Sequence, residues 1–270
     1  MATRIFSGIF LLLLVAGCSS SSGLFQNARF ASFGVKVDQP GLAGPTKDPT
    51  NPQGFEIYLA RRVAEQFQRE AAFQPITSEV RESYLQQDRL DVVIASYSMT
   101  DDRRLLVDMI GPYLRSKTGV LVRSDYHGPE DLHSFTGAEV CTAAGTTSVE
   151  VIRNELGQNP VTEPSFEACK DRLKKRQVTA IMTDKIILEG FVQNEHEFKL
   201  LDKEFGSDGY YAIAIPKNHP SECGTILNWL KGYVDSPEWK NNFTTYFPGV
   251  DPDDYSVSSS LVEAKTVCDG

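Results

Sequence analysis

Metal-binding spacing is missing from this chain. His127, His133, His196 and His219 are scattered and no CxxC occurs, so the ligand pattern of a zinc site is absent. Positive charge is also short: 27 Lys and Arg stand against 36 Asp and Glu, a formal charge of -9. An acidic chain without a basic cluster does not ride on phosphates, which excludes nucleic acid as a main partner. Lys174-Lys175-Arg176 reads as a solvated helix face. After residue 16 no apolar run approaches the ~20 residues that a membrane-spanning helix needs.

What is present begins with a leader. Behind Arg4 the stretch Ile5 to Leu14 is apolar, and Val15-Ala16-Gly17-Cys18 follows, the pattern of a secretory signal ending in what resembles a bacterial lipoprotein box. Residues 1–17 are expected to be removed, leaving a lipidated Cys18 and a polar tether over 18–29 that begins Ser19-Ser20-Ser21-Ser22-Gly23. Loss of Arg4 takes the charge from -9 to -10. The body is then expected at the extracytoplasmic face of the cell membrane, held by lipid. Of five cysteines four remain, and an even number in an oxidising compartment favours bridges. Order along the chain suggests Cys141 with Cys169 and Cys223 with Cys268, one of three possible connectivities.

Short apolar runs alternate with helical patterns, which argues for an α/β architecture with mainly parallel sheet. The run 33–37 reads as a first strand. Phe55, Leu59, Val63 and Phe67 recur at helical spacing from Gly54 to Glu70. A strand over 73–76, a helix over 79–87 and a buried strand over 91–95 complete a βαβαβ unit. A similar order recurs with strands at 138–141 and 178–182 and helices from Ser148, from Ser165 to Arg176 and after Asp184. About 240 residues suffice for one large domain or two small lobes, each with its own core. Extended stretches at 117–123 and 210–215 read as two crossings between lobes, giving lobe 1 as 30–117 and 212–270 and lobe 2 as 118–211. Helices are expected over 228–234 and 237–246, and the polar tail 251–270 as loose apart from Cys268.

Candidate chemistry lies at strand ends, where open α/β sheets bind ligands. Ser96 and Ser98 can offer hydroxyls there. Thr100 caps a short helix whose Asp101 and Asp102 suit its positive end. Arg103, one turn in, can fork a carboxylate. In Ala144-Gly145-Thr146-Thr147-Ser148-Val149-Glu150, Thr147 and Glu150 match a capping box, and such a helix N-terminus binds anions. Asp184 ends a strand, where it can pair an ammonium or cap the next helix. Lys36 interrupts an apolar strand, a costly place for an ammonium unless it faces a polar cleft, and Arg81 opens the helix after the second strand.

Gly54-Phe55-Glu56-Ile57, Asp91 to Ala95, the run from Ser98 to Arg103, Gly111-Pro112-Tyr113, Ala144 to Ser148 and Thr183-Asp184 together resemble the extracellular solute-binding proteins that serve polar amino acid ABC transporters, known as family 3. Lys36-Val37-Asp38-Gln39-Pro40-Gly41-Leu42 and the Cys141 and Cys169 pair resemble its glutamate-binding branch. The resemblance spans about Phe33 to Phe247 and implies a two-lobed periplasmic-binding-protein-like fold of type II with two hinge strands, acting as a monomer without a cofactor. It implies that Arg103, helped by Ser98 and Thr147, holds an α-carboxylate and that Asp184 takes the α-ammonium, with Ser96 and Thr146 beside them. A zwitterion buried between lobes needs both charges paired. Arg81 matches an Arg of the glutamate-binding relatives. With Lys36 it is expected to read a second carboxylate, placing glutamate first, then aspartate or glutamine. One departure stands out: the aromatic stacking residue that relatives carry after the first strand is missing from Gln39 to Gly44. A dehydratase on the same fold would need a general acid or base beyond the clamp, and no spare His or Glu stands at a cleft position. A sensory module signalling to a membrane partner would use the same pocket, because that partner reads only the surface.

Overall fold

The computed structural model describes residues 23–25, 27–44 and 51–269. The leader, Cys18 and the tether as far as Ser22 lie outside the described residues. The first βαβαβ unit is present: β1 (Phe30–Val35) pairs in parallel with β2 (Glu70–Pro75) on one side and β3 (Val92–Val93) on the other. Helices α1 (Phe55–Gln66) and α2 (Arg81–Gln86) make the crossovers. Phe55, Leu59 and Val63 of α1 are fully buried, as their spacing requires. The helix stops before the expected Glu70 because Gln68 adopts φ 55 and Glu70 already pairs with Phe30.

The chain continues through α3 (Asp101–Leu106) into β4 (Asp108–Arg123), a strand of 16 residues. The second unit sets β5 (Val140–Ala143) parallel to β6 (Val161–Glu163) and β7 (Ala180–Asp184), with α4 (Ser148–Leu156) and α5 (Phe166–Lys174) between them. After α6 (Lys185–Asn194) and β8 (Phe198–Leu200), β9 (Phe205–Ile215) returns antiparallel to β4. Helices α7 (Pro220–Val234), α8 (Pro237–Tyr246) and α9 (Ser259–Lys265) close the fold.

All strands lie in one curled mixed sheet ordered β2-β1-β3-β9-β4-β7-β5-β6, with β8 also on β4. The two long strands carry the sheet from one lobe to the other. Near its start β4 pairs Asp108 with Ile215, and near its end it pairs Thr118 to Val122 with β7. Ala214 of β9 meanwhile pairs with Val93 of β3. The crossings are therefore longer than the stretches 117–123 and 210–215 read from the sequence.

The lobes do not have wholly separate cores. One cluster runs from Phe33 and Phe55 through Tyr113, Leu114 and Tyr211 to Phe166, Ile181 and Phe191, because the hinge strands bring their own apolar residues with them. Smaller clusters cover the opposite sheet face, around Val93 and Ala212 in the first lobe and Val120 and Met182 in the second.

The C-terminal segment departs from expectation. Helix α7 begins at Pro220, which suits a first helical position, eight residues before Asn228. The tail is not loose: Ser258 caps α9, Val262 is buried, and Tyr255 stacks on Phe243 with ring centroids 5.5 Å apart. Thr266 also exchanges hydrogen bonds with the Gly111 peptide N–H and carbonyl, at 3.0 and 3.1 Å. Few apolar residues carry this packing, so polarity masked it. Disulfides join Cys141 of β5 to Cys169 of α5 and Cys223 of α7 to Cys268.

Candidate functional site

The loop between β3 and α3 presents the first group of polar side chains. The Thr100 hydroxyl accepts from the Arg103 N–H at 3.2 Å and caps α3, which fixes Arg103 one turn in. Its Nη1 donates to the Ser98 carbonyl at 2.7 Å and its Nε lies 3.4 Å from Glu82 Oε1. Ser96 and Ser98 are buried, and Ser98 bridges to Tyr211 of β9. Strand β3 is shorter than the expected 91–95, because Ser96 takes φ 44 and gives its N–H to the Glu56 carboxylate at 2.7 Å. That turn aims the loop into the cleft.

Arg81 is 2 % exposed. Its Nε donates to the Ser78 carbonyl at 3.0 Å and its Nη1 to the Ala95 carbonyl at 3.1 Å. Burial, then the neighbouring Arg103, lowers its pKa to about 10, so it stays charged at neutral pH. Arg81 Nη2 and Arg103 Nη2 both donate to the Gly145 carbonyl oxygen of the second lobe, at 2.9 and 3.0 Å. Gly145 has φ 71, and a Cβ there would lie 2.8 Å from the Glu79 nitrogen. Only glycine permits this approach of the lobes.

The second lobe supplies the facing wall. The Thr147 hydroxyl lies 3.3 Å from that of Ser98. The expected capping box is absent: Thr147 has helical φ and ψ, its side chain caps nothing, and Glu150 pairs with Arg153 at 2.5 Å. A tertiary partner has taken the hydroxyl that the local motif would use. Thr146 turns back to donate to its own Ala143 carbonyl at 2.7 Å. Asp184 precedes α6 without capping it and instead accepts from the Tyr211 hydroxyl at 2.5 Å. Burial raises its pKa to about 6, against the opposing pull of Tyr211, Arg103 and Arg81.

Lys36 sits just past β1, 1 % exposed and 3.7 Å from Asp38 Oδ1. Burial lowers its pKa, which Asp38 opposes and Arg81 reinforces. Asp38 also reaches the second lobe, accepting from the Phe166 N–H at 2.9 Å. Beside Lys36 a groove of about 1120 Å³ opens between the lobes, lined by Asp38, Thr77, Ser165, Lys170 and Glu195 among others.

Three further buried residues belong to this site, and neither spacing nor chemistry in the sequence assigns them a role there. Glu56 of α1 is wholly buried, with Oε1 accepting from the Tyr113 hydroxyl at 2.5 Å and Oε2 unpartnered. Burial raises its pKa to about 7, and Arg81 and Lys36 are the cations near it. An acid in a first helical turn reads as a response to the helix dipole, which hides such a role. Tyr211 opens an apolar run, where aromatics read as core, and Tyr97 stands between Ser96 and Ser98, whose hydroxyls draw the attention. Among the described residues no group of three His, Cys, Asp or Glu is placed to hold a metal ion. The arrangement sets two guanidiniums and several hydroxyls against a buried carboxylate, which suits a ligand that carries both charges.

Solved structures show the class of fold. A solute receptor for L-cysteine from Neisseria gonorrhoeae superposes with a TM-score of 0.78 at 17% identity, over 85% of this chain and 96% of that one. A Salmonella typhimurium periplasmic binding protein with high arginine specificity gives 0.74 at 22%, over 81% and 99%. The fold is the two-lobed type II α/β fold of periplasmic amino acid-binding proteins. Residues 32–249 match the model of the bacterial extracellular solute-binding proteins, family 3, and this chain belongs to that family, whose members are binding proteins. Among its relatives, the ABC transporter glutamine-binding protein GlnH of Bacillus subtilis is 28% identical over 83% of this chain and 88% of its own length. The glutamate-binding protein GluB of Corynebacterium glutamicum is 28% identical over 76% and 75%.

Proposed function

We propose that this chain is a lipid-anchored extracytoplasmic binding protein that captures an acidic or polar amino acid, glutamate in preference, and delivers it to an ABC transporter permease. The observation that carries the reading is the pair of guanidiniums, Arg81 and Arg103, meeting at one oxygen opposite the buried Asp184. Arg103, with Ser98 and Thr147, takes the α-carboxylate; Asp184 takes the α-ammonium; Ser96 and Thr146 shape the wall between them. Arg81 and, on the groove side, Lys36 receive the side-chain carboxylate. Relatives named for glutamate and glutamine support this size of ligand.

Lobe 1 comprises 30–117 and 212–270, lobe 2 comprises 118–211, and β4 with β9 forms the hinge. Capture is closure, the contacts among Ser98, Thr147, Gly145, Asp38 and Phe166 being made only when the lobes meet. The protein acts as a monomer held by Cys18 and is not an enzyme: Arg103 is committed to Glu82, Asp184 to the Tyr211 hydroxyl and Arg81 to backbone carbonyls, and none of them is assigned to proton transfer.

A thermal-shift screen of the mature protein against the common amino acids tests this reading. A ligand at 100 times its Kd stabilises by about 2.7 kcal/mol. Glutamate is expected to give the largest shift, and a screen in which no amino acid raises the melting temperature refutes the reading.

A further inference from the structure

Tyr97 is wholly buried, and both guanidiniums of the site lie over its ring, Arg81 with Cζ 4.4 Å and Arg103 with Cζ 4.8 Å from the centroid. Two cations in that proximity repel, and the face of one aromatic ring attracts both. The ring is itself tied down: the Tyr97 hydroxyl donates to Glu82 Oε1 at 2.5 Å, and the same oxygen lies 3.4 Å from Arg103 Nε. Helix α2 thus supplies Arg81 and Glu82, the loop after β3 supplies Tyr97 and Arg103, and the four side chains brace one another.

We propose that Tyr97, tethered by Glu82, is a positioning residue that sets the separation of Arg81 and Arg103 and so the preference for a ligand with two carboxylates. This rests on the amino acid-binding reading above. Each arginine has its own backbone anchors, Ser78 and Ala95 for Arg81 and Ser98 for Arg103; Ala95 and Ser98 belong to one loop, which relates where the two side chains attach, while the Tyr97 ring is what meets both guanidiniums themselves. The shared contact with Gly145 relates them only in the closed form. In the open form, before ligand arrives, the ring and its glutamate add to the loop carbonyls in holding the forks at the spacing that glutamate needs. Losing the ring lets the guanidiniums drift apart, which harms a dicarboxylate more than an amide.

The experiment compares wild type with Tyr97→Phe, Tyr97→Leu and Glu82→Gln in the mature protein, with calorimetry of glutamate and glutamine and thermal unfolding as the check on folding. Tyr97→Phe keeps the ring and loses the tether, and is expected to weaken glutamate about threefold. Glu82→Gln, which keeps an acceptor for the hydroxyl but drops the charge facing Arg103, is expected to do the same. Tyr97→Leu is expected to weaken glutamate roughly thirtyfold and to cut the glutamate-to-glutamine ratio at least about fivefold, with Tyr97→Phe restoring most of the ratio. A folded Tyr97→Leu that keeps the wild-type ratio, or weakens both ligands equally, overturns the proposal. Should Tyr97→Leu fail to fold, wild-type glutamate affinity in both remaining variants overturns it. A wild type that binds neither ligand refutes the underlying reading instead.

Discussion

Asp184, at the end of β7, accepts a 2.5 Å hydrogen bond from the hydroxyl of Tyr211 on β9, so a candidate ligand-binding carboxylate is fastened to a hinge strand. The ring of Tyr211 lies 6.1 Å from that of Tyr113 on β4, whose hydroxyl holds Glu56. Each hinge strand thus carries one tyrosine that grips one buried carboxylate, Asp184 in the second lobe and Glu56 in the first.

These two carboxyls give a pH dependence of opposite sign for stability and binding. Their folded pKa values, about 6 and about 7, lie above the ordinary carboxylate range because of burial. The folded state therefore binds more protons than the unfolded one between the ordinary value and the raised one, and this contribution to stability falls as pH rises through that window. The ligand-free protein is expected to melt at higher temperature at pH 5.5 than at pH 7.5 on this account. Ligand binding needs Asp184 charged, so affinity is expected to fall about tenfold from pH 7.5 to pH 5. Calorimetry at several pH values checks this. An Asp184→Asn protein with the same pH dependence would assign it to another group.

Closure is expected to fail in Gly190→Ala. Gly190 lies inside α6, and a Cβ there would overlap the Pro40 carbonyl oxygen of the other lobe. Alanine favours the helix itself, so unfolding stability without ligand should hold or rise by up to about 1 kcal/mol. Affinity should drop at least roughly tenfold, since the closed state is penalised alone. Solution scattering is the second readout: wild type contracts on adding glutamate and the variant does not. Equal contraction in both would show that the lobes do not meet at this point.

The clamp predicts large single effects. Removing Arg103 or Asp184 by substitution to Ala leaves an opposite charge of the ligand buried without its partner, at a cost of about 3 to 5 kcal/mol of binding. Asp184→Ala also leaves the Tyr211 hydroxyl unpaired, so its melting temperature is expected to fall further than that of Arg103→Ala. A folded Arg103→Ala protein with unchanged affinity would remove that residue from the site.

Much of this was legible in the sequence, and what was missed has physical reasons. The positions of Arg103, one turn into the helix after β3, and of Asp184, at the end of β7, follow from the apolar runs before them; their part in ligand binding is the proposal made above. The first βαβαβ unit followed from periodicity, whereas in the second the three-residue strand β6 (Val161–Glu163) is too short to show a pattern. The local pattern around Thr147 predicts a capping box, while the family resemblance sets Thr147 beside Ser98; in the fold its hydroxyl lies 3.3 Å from that of Ser98 and caps nothing. Tyr113 and Tyr211 look like core residues from either side in sequence; their hydroxyl partners are distant in the chain. Gly190 did leave a trace, since glycine inside a helix costs about 1 kcal/mol relative to alanine and asks for a packing reason. Helix α9 offered little, because Val262 is the residue of that helix that is buried.

The central claim is capture of an amino acid with a second carboxylate, and calorimetry of glutamate against glutamine on the mature wild-type protein tests it most directly. A charge-assisted bond from Arg81 is worth about 1.5 to 3 kcal/mol, so glutamate should bind at least roughly tenfold more tightly than glutamine, with aspartate between or near glutamine. Tighter binding of glutamine, or of a cationic amino acid, would contradict the account.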